Sequence, residues 1–487
     1  MVVQQKKMNS RFIPIFIFLT VSFSQLSQDA RMLALNGAYT TVARGYQCIG
    51  VNPANLSYST RFSMNLLTFN MGLGNNSFSL DVMNDLNGAD LENPNAEIYF
   101  PKEDLGYIFD DEGIIITTDI SLPLPVLNFS FLNYAFTTTP KLYTKFGIPS
   151  GFVDLLFYGN EIGRDLSIDF PLDIMAVQET GFSYAFPSNE FTFGVTAKYI
   201  LGYFYSTFES VDSSYFRTDS TAFTGQGSFL MKQAIGGNGF ALDIGTLSRE
   251  FENGVQFGAS ITNLFGSIKW TQDHFLRSAI DATVQDNVPA EYFLRQNEFY
   301  YYHLEIDSMN AVNLSSKPID EMIFRQGYKV IKVSDLALFN FVHTDTLVVT
   351  LPNDGGYLIP SSEITSATLD SLSSEPLRTN YPSIFRFGIS KRYNEGVVVM
   401  ADLSTGFSDD LGSYDTWRMA FAAEITHYPL ITLRTGIAFG GAYGRSLSLG
   451  TGFKIGPVYL DLGMAYRNGF TINSMKGIDF SITTSIH

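Results

Sequence analysis

Five histidines, one cysteine and scattered serines are the residues of this chain that could do covalent or metal chemistry, and their spacing offers little of it. His274, His303, His343, His427 and His487 form no His-x-x-x-His pair, and Cys48 has no second cysteine. Neither a zinc site nor an internal disulfide is expected. Cys48 lies between Gln47 and Ile49, with no adjacent basic residue or histidine to favour the thiolate, so it reads as a small buried filler. Gly181-Phe182-Ser183-Tyr184-Ala185 faintly resembles a nucleophile elbow, yet it sits inside an alternating strand rather than between a strand and a helix. Gly236, Gly237 and Gly239 precede a strand and lack the following helix of a phosphate loop. The expectation is a protein that is not an enzyme and carries no cofactor or metal.

The elements that would position any site are read from composition and period. Charged residues are 16% of the 487, aromatics are 15%, and tyrosine and phenylalanine dominate over only two tryptophans. A soluble domain averages about 25% charged, whereas a membrane barrel needs an apolar belt with aromatic girdles around a polar interior. The net charge of −17 argues against a nucleic-acid partner, because nothing here neutralises phosphates. Lys6, Lys7 and Arg11 ahead of an apolar run over residues 12–23, with Ser22-Phe23-Ser24 behind it, read as a cleaved bacterial export signal over residues 1–24. That run is too short for a spanning helix, which needs roughly 20 residues.

Residues 191–205, FTFGVTAKYILGYFY, alternate with a period of two. Phe191, Phe193, Val195, Ala197, Tyr199, Leu201, Tyr203 and Tyr205 make one face, and mostly small or polar residues make the other. The same alternation returns over residues 417–425, 447–455, 458–466 and 478–486, where Asp461, Asp479, Ser481 and Thr483 share a face. A sandwich can show this period too. The export signal and the strand length, far above the usual ~5–6 residues, favour a barrel with a wet interior.

Connections downstream of residue 384 alternate long and tight, as in a barrel with both termini in the periplasm. Further strands are expected near 62–71, 75–82, 114–121, 126–137, 173–186, 239–249 and 254–268. The fold class is therefore all-β, a transmembrane antiparallel barrel of about fourteen strands (14–16), over residues 58–487. Residues 271–380 form a long, mostly extracellular insertion. Residues 148–160, IPSGFVDLLFYGN, are expected to be a short helix capped by Ser150 and ended by Gly159-Asn160.

Ahead of the barrel, residues 25–57 are too glycine-rich for a stable helix and too apolar for a free tail. They close on Asn52-Pro53-Ala54. They read as a hatch in the lumen. Gly37, Gly45 and Gly50 are the expected movers, where backbone freedom is greatest. Asn52, Pro53 and Ala54 form a rigid corner.

Three stretches give the chain its resemblance to the FadL and PorV superfamily of outer-membrane proteins, in particular its uncharacterised FadL-like branch. Leu35-Asn36-Gly37-Ala38-Tyr39 with Asn52-Pro53-Ala54-Asn55-Leu56 resembles that family's hatch. Residues 239–270 resemble its paired strands ending in an Asn-Leu-Gly-like turn, here with Phe265 before Gly266, and residues 154–160, DLLFYGN, occur in the uncharacterised branch. The resemblance implies a barrel with a lumenal hatch in the bacterial outer membrane, surrounded by its lipids. It also implies passive transport of hydrophobic, fatty-acid-like small molecules, for which such barrels have a lateral gap. The alternative it implies is a PorV-like, non-enzymatic partner of type IX secretion machinery or of cell-surface proteins.

Overall fold

A sheet whose two faces differ at every second residue can satisfy all its edges by closing on itself, and this one does. The computed structural model describes residues 28–58, 62–109, 113–210, 214–270, 298–310, 329–332, 346–350, 356–360, 377–393, 396–408 and 414–487. Among these, fourteen strands close the wall. They are β1 (Ser63–Asn75), β2 (Ile114–Ser121), β3 (Tyr134–Ile148), β4 (Leu172–Phe186), β5 (Phe191–Ser210), β6 (Ala222–Ser248), β7 (Val255–Trp270), β8 (Ile384–Tyr393), β9 (Val397–Gly406), β10 (Arg418–Ile425), β11 (Ile431–Gly440), β12 (Arg445–Ile455), β13 (Val458–Arg467) and β14 (Gly477–Ile486). Each pairs antiparallel with its neighbour in sequence, and β1 closes the ring on β14 from Met64↔Ile486 to Gly74↔Gly477.

Short connections gather at one rim, with 187–190, 249–254, 426–430 and 456–457 among them, and long ones at the other. The chain enters β1 and leaves β14 at the short-turn rim. Helix α1 (Ala30–Ala34) lies in the lumen, and the long-loop rim carries the helices α2 (Leu80–Leu86), α3 (Leu105–Ile108) and α4 (Ser150–Tyr158). It also carries an extension of the wall: Glu298–Asn310 pairs with the upper half of β6, and Lys329–Lys332 pairs with Glu298–Asn310 in turn. The expected insertion thus adds strands to the sheet. The export signal lies outside the described residues.

Alternation decides the faces. Thr192, Gly194, Thr196, Lys198 and Ile200 of β5 point into the lumen, and Phe191, Phe193 and Tyr199 stand outside. On β14 the lumenal residues are Asp479, Ser481, Thr483 and Ser485, with Phe480 outside. The exterior is therefore apolar and the interior polar, as a membrane-spanning barrel requires. The expected face fails beyond Gly202. A bulge at Tyr203 shifts the β4–β5 register and swings Tyr205, opposite Met175, into the lumen. One inserted residue reverses every side chain that follows it.

Three local expectations need correction. Residues 75–82 are not a strand: Asn75 Oδ1 accepts the Ser77 and Phe78 amides in a turn, and Ser79 caps α2 by accepting the Val82 amide at 3.2 Å. The strand expected over 126–137 is broken by Leu132, whose φ of 53° folds Phe129–Phe131 back onto the start of β3. α4 starts at the expected place, but no side chain caps it, and its N-cap is Pro149. Gly159, with φ 74°, ends it.

Ile437 stands outside on β11, near the middle of the lipid face. We expect Ile437→Arg to cost roughly 2–4 kcal/mol, the toll of a cation near the bilayer midplane, and Ile437→Val far less. Equilibrium urea unfolding in lipid vesicles measures both.

Candidate functional site: the hatch and the lumen above it

Residues 28–58 run around the inside of the barrel, and nearly all of them are buried. Asp29 opens the segment as the N-cap of a five-residue helix, Ala30–Ala34, its carboxylate accepting the Met32 amide at 2.9 Å. The helix ends because Asn36 and Gly37 take left-handed backbone, φ 50° and 77°. Single helical turns follow at Gly45–Cys48 and Pro53–Tyr58. Asn52 ties the corner: its Oδ1 accepts the Ala54 amide at 3.1 Å, and its Nδ2 donates to Thr40 O at 3.3 Å and to Thr246 O of β6 at 3.0 Å. Met32, Leu35, Tyr39, Val42, Ile49, Val51 and Leu56 form one apolar cluster that includes Val398 and Met400 of the wall.

Backbone meets backbone where the wall has glycine. A Cβ on Gly194 or Gly245 would overlap the Asn52-Pro53-Ala54 corner, one on Gly388 would strike Thr40, and those on Gly450 and Gly463 would overlap the Ala30–Ala34 helix. Charges complete the fit on the helix side. Arg31 donates to both oxygens of Glu424 at 2.8 Å, and Arg434 bridges Glu424 at 2.7 Å and Asp461 at 2.5 Å. Arg418 holds Asn36 O at 2.7 Å. On the far side Asp402 Oδ2 accepts the Tyr39 and Thr40 amides, each at 2.8 Å. Burial raises Asp29 to about 6, partly offset by the Met32 amide. Burial also pushes the Cys48 thiol well above its usual value, and Arg44 only partly opposes this.

Beyond the hatch, toward the long loops, the lumen turns apolar. Met175, Val177, Ile200, Ile268, Trp270 and Tyr381 cluster there, with Tyr205 stacked on Trp270 at 5.6 Å between ring centres. Beside them lies a polar knot. Glu179 accepts Lys141 Nζ at 2.6 Å and the Tyr381 hydroxyl, and Lys198 reaches Asp243 at 3.0 Å and Asn263 Oδ1 at 2.7 Å. The knot braces a defect in the wall. β7 loses register against β6 twice between Ile261 and Ser267, with Asn263 and Phe265 in left-handed backbone. β8 breaks at the same level, so residues 263–266 face 381–383, and Asn263 Nδ2 to Pro382 O and Ser383 Oγ to Asn263 O help hold this seam. Phe265 stands outside, 83% exposed.

The expected site residues Gly37, Gly45, Gly50, Asn52, Pro53 and Ala54 all lie in the lumen, and all three glycines have positive φ. They are separate points on the strap, of which only Asn52, Pro53 and Ala54 act as a unit. Reasoning from the sequence missed the wall residues that receive the hatch: Glu424 and Asp461 lie on alternating polar faces, whereas Asp402 and the receiving glycines carried no signal beyond their period. No group of three or more His, Cys, Asp or Glu residues gathers among the described residues. A hollow of about 630 Å³ on the outer face of β10–β14, lined by Leu433, Thr435, Leu449 and Phe480, faces lipid rather than the lumen.

The fold and its contents define a plugged, membrane-spanning β-barrel. Residues 53–291 match a family of unknown function, DUF5723. No curated protein matches the chain. Among solved structures the chain is similar to the toluene transporter TodX of Pseudomonas putida, at 10% identity over 95% of this chain and 99% of that one, with a TM-score of 0.49. It is similar to the Ralstonia pickettii toluene transporter TbuX, at 13% identity over 95% and 99%, with a TM-score of 0.46. The monoaromatic hydrocarbon channel CymD gives 12% identity over 96% and 97%, with a TM-score of 0.45.

Two outcomes follow for the hatch. Glu424→Gln leaves two buried guanidiniums short of a counter-charge. It should loosen the Ala30–Ala34 helix by roughly 3–5 kcal/mol, the scale for breaking a buried pair, seen as faster amide hydrogen exchange there. Asp29 titrates in the other sense: its seated pKa of about 6 lies above the ordinary aspartate value of 3.8, so the seated state binds the extra proton. Seating should weaken as pH rises from about 4 to 6 and then level off. Hydrogen exchange of the same helix at pH 5 and 7.5 reads this, and Asp29→Asn should remove the difference.

Proposed function

We propose that this protein is a non-enzymatic outer-membrane channel that lets hydrophobic, fatty-acid-like small molecules cross passively, with residues 28–58 as its gate. The observation that carries this reading is the apolar lumenal cluster around Trp270, set above the hatch in a barrel whose interior is otherwise polar. A hydrophobic solute gains by leaving water for such a surface, and a site of this kind needs few polar anchors. The seam between β7 and β8 supports a sideways path. There side-chain bonds replace part of the ladder, so opening it costs fewer backbone hydrogen bonds than opening a regular pair. The hatch supports gating, since it crosses the lumen below the cluster.

Trp270 gives the test its own reporter. Dodecanoate added to the purified protein should change Trp270 emission saturably, in a Trp417→Phe background that removes the other tryptophan. Met175→Glu, which puts a carboxylate into the cluster, should abolish the change. A spectrum indifferent to dodecanoate and to a neutral alkane would overturn the reading.

A further inference from the structure

The two halves of the hatch are held differently. The Ala30–Ala34 helix is clamped by the Arg31, Glu424, Arg434 and Asp461 ion network. Residues 39–56 meet that network at one point, Arg31 Nη1 to Val42 O at 3.1 Å, and otherwise make bonds of another kind, such as Ser260 Oγ to Val51 O at 2.6 Å and Asn52 Nδ2 to Thr246 O; among the described residues the charged group of the wall that grips them is Asp402. Buried polar atoms on this side, among them Thr41 Oγ1 and Asn55 Oδ1, find no partner among the described residues. Between the halves lie Asn36 and Gly37 with their left-handed backbone.

Arg386 stands one register step along β8 from the residue facing Asp402: Gly388 pairs with Asp402 and Arg386 with Ser404. Both side chains are lumenal and buried, at 3% and 4% exposed. Arg386 Nε and Nη1 have no hydrogen-bond partner among the described residues. A buried guanidinium with unmet donors is costly, and the Asp402 carboxylate that could meet them is occupied by the hatch.

We propose that Asp402 is a two-position latch. With the hatch seated it holds the Tyr39 and Thr40 amides. When residues 39–56 swing out about Asn36–Gly37, it turns to Arg386, and that pairing stabilises the open state. Arg386 thereby narrows the gap between closed and open. The helix half stays docked throughout. This rests on reading the segment as a gate, but its test follows hatch release rather than transport, so the two can fail separately.

Cys48 lies in the moving half and is fully buried, so it reports release. The intact protein in lipid nanodiscs is treated with a maleimide, and the rate of Cys48 labelling is followed by mass. Arg386→Met removes only the open-state pairing and should slow labelling roughly tenfold, the scale of losing a charged partner, whereas Asp402→Asn weakens both positions of the latch and should change the rate by less. Arg386→Lys should stay near the parent rate, a control for folding. In the Asp402→Asn background Arg386→Met should have no further effect. Faster or unchanged labelling in Arg386→Met, or the same slowing in both backgrounds, overturns the latch. Hydrogen exchange of residues 30–34 should remain unchanged in Asp402→Asn, and an increase there overturns the hinge.

Discussion

Every backbone amide that stands in lipid must find its partner inside the protein, and this constraint shapes the whole molecule. Fourteen strands meet it by closing β1 on β14. Closure in turn creates a lumen too wide for wall side chains alone to fill. The residues that face it are polar, so whatever fills it must bring its own hydrogen bonds. Residues 28–58 do so with very little regular structure. A longer helix would satisfy itself and leave the wall unmet, whereas short turns leave amides and carbonyls free for Asp402, Ser260, Arg418 and Thr483.

Close approach has the same origin. An amide can reach across to a wall side chain only if the backbones come near, and glycines at 194, 245, 388, 450 and 463 open that space. The charges set into the contact are arranged unevenly. A continuous ion network clamps the first helix, while the strap beyond Gly37 meets that network only through Arg31 on Val42 O and otherwise rests on Asp402 and on neutral bonds. A tightly clamped and a more lightly held stretch thus adjoin in one segment, with a left-handed pair of residues between them.

Much of this was legible in the residues. Alternation over 191–199 showed which side chains would face lipid, and the glycines with Asn52-Pro53-Ala54 marked a segment needing enclosure. Tyr205 was misread because its face depends on a bulge at Tyr203, and a bulge is a property of the pairing between β4 and β5 rather than of either strand alone. The segment at 75–82 was misread because Asn75, Ser77 and Ser79 spend their side chains on local amides, which competes with the ladder. The seam at Asn263 was present only as an oddity, Phe265 ahead of Gly266. Its meaning needed the matching break at residues 381–383, more than a hundred positions away.

The sequence by itself determined the long alternating strands and their apolar face, because a period of two is a local property that survives without knowledge of any partner. It also determined that something small and flexible would sit within. Only the tertiary structure decided which residues hold that segment: Arg31 meets Glu424, Tyr39 meets Asp402 and Pro53 meets Gly194, each across more than a hundred positions. Such pairings follow from strand register and ring closure, which accumulate along the whole wall.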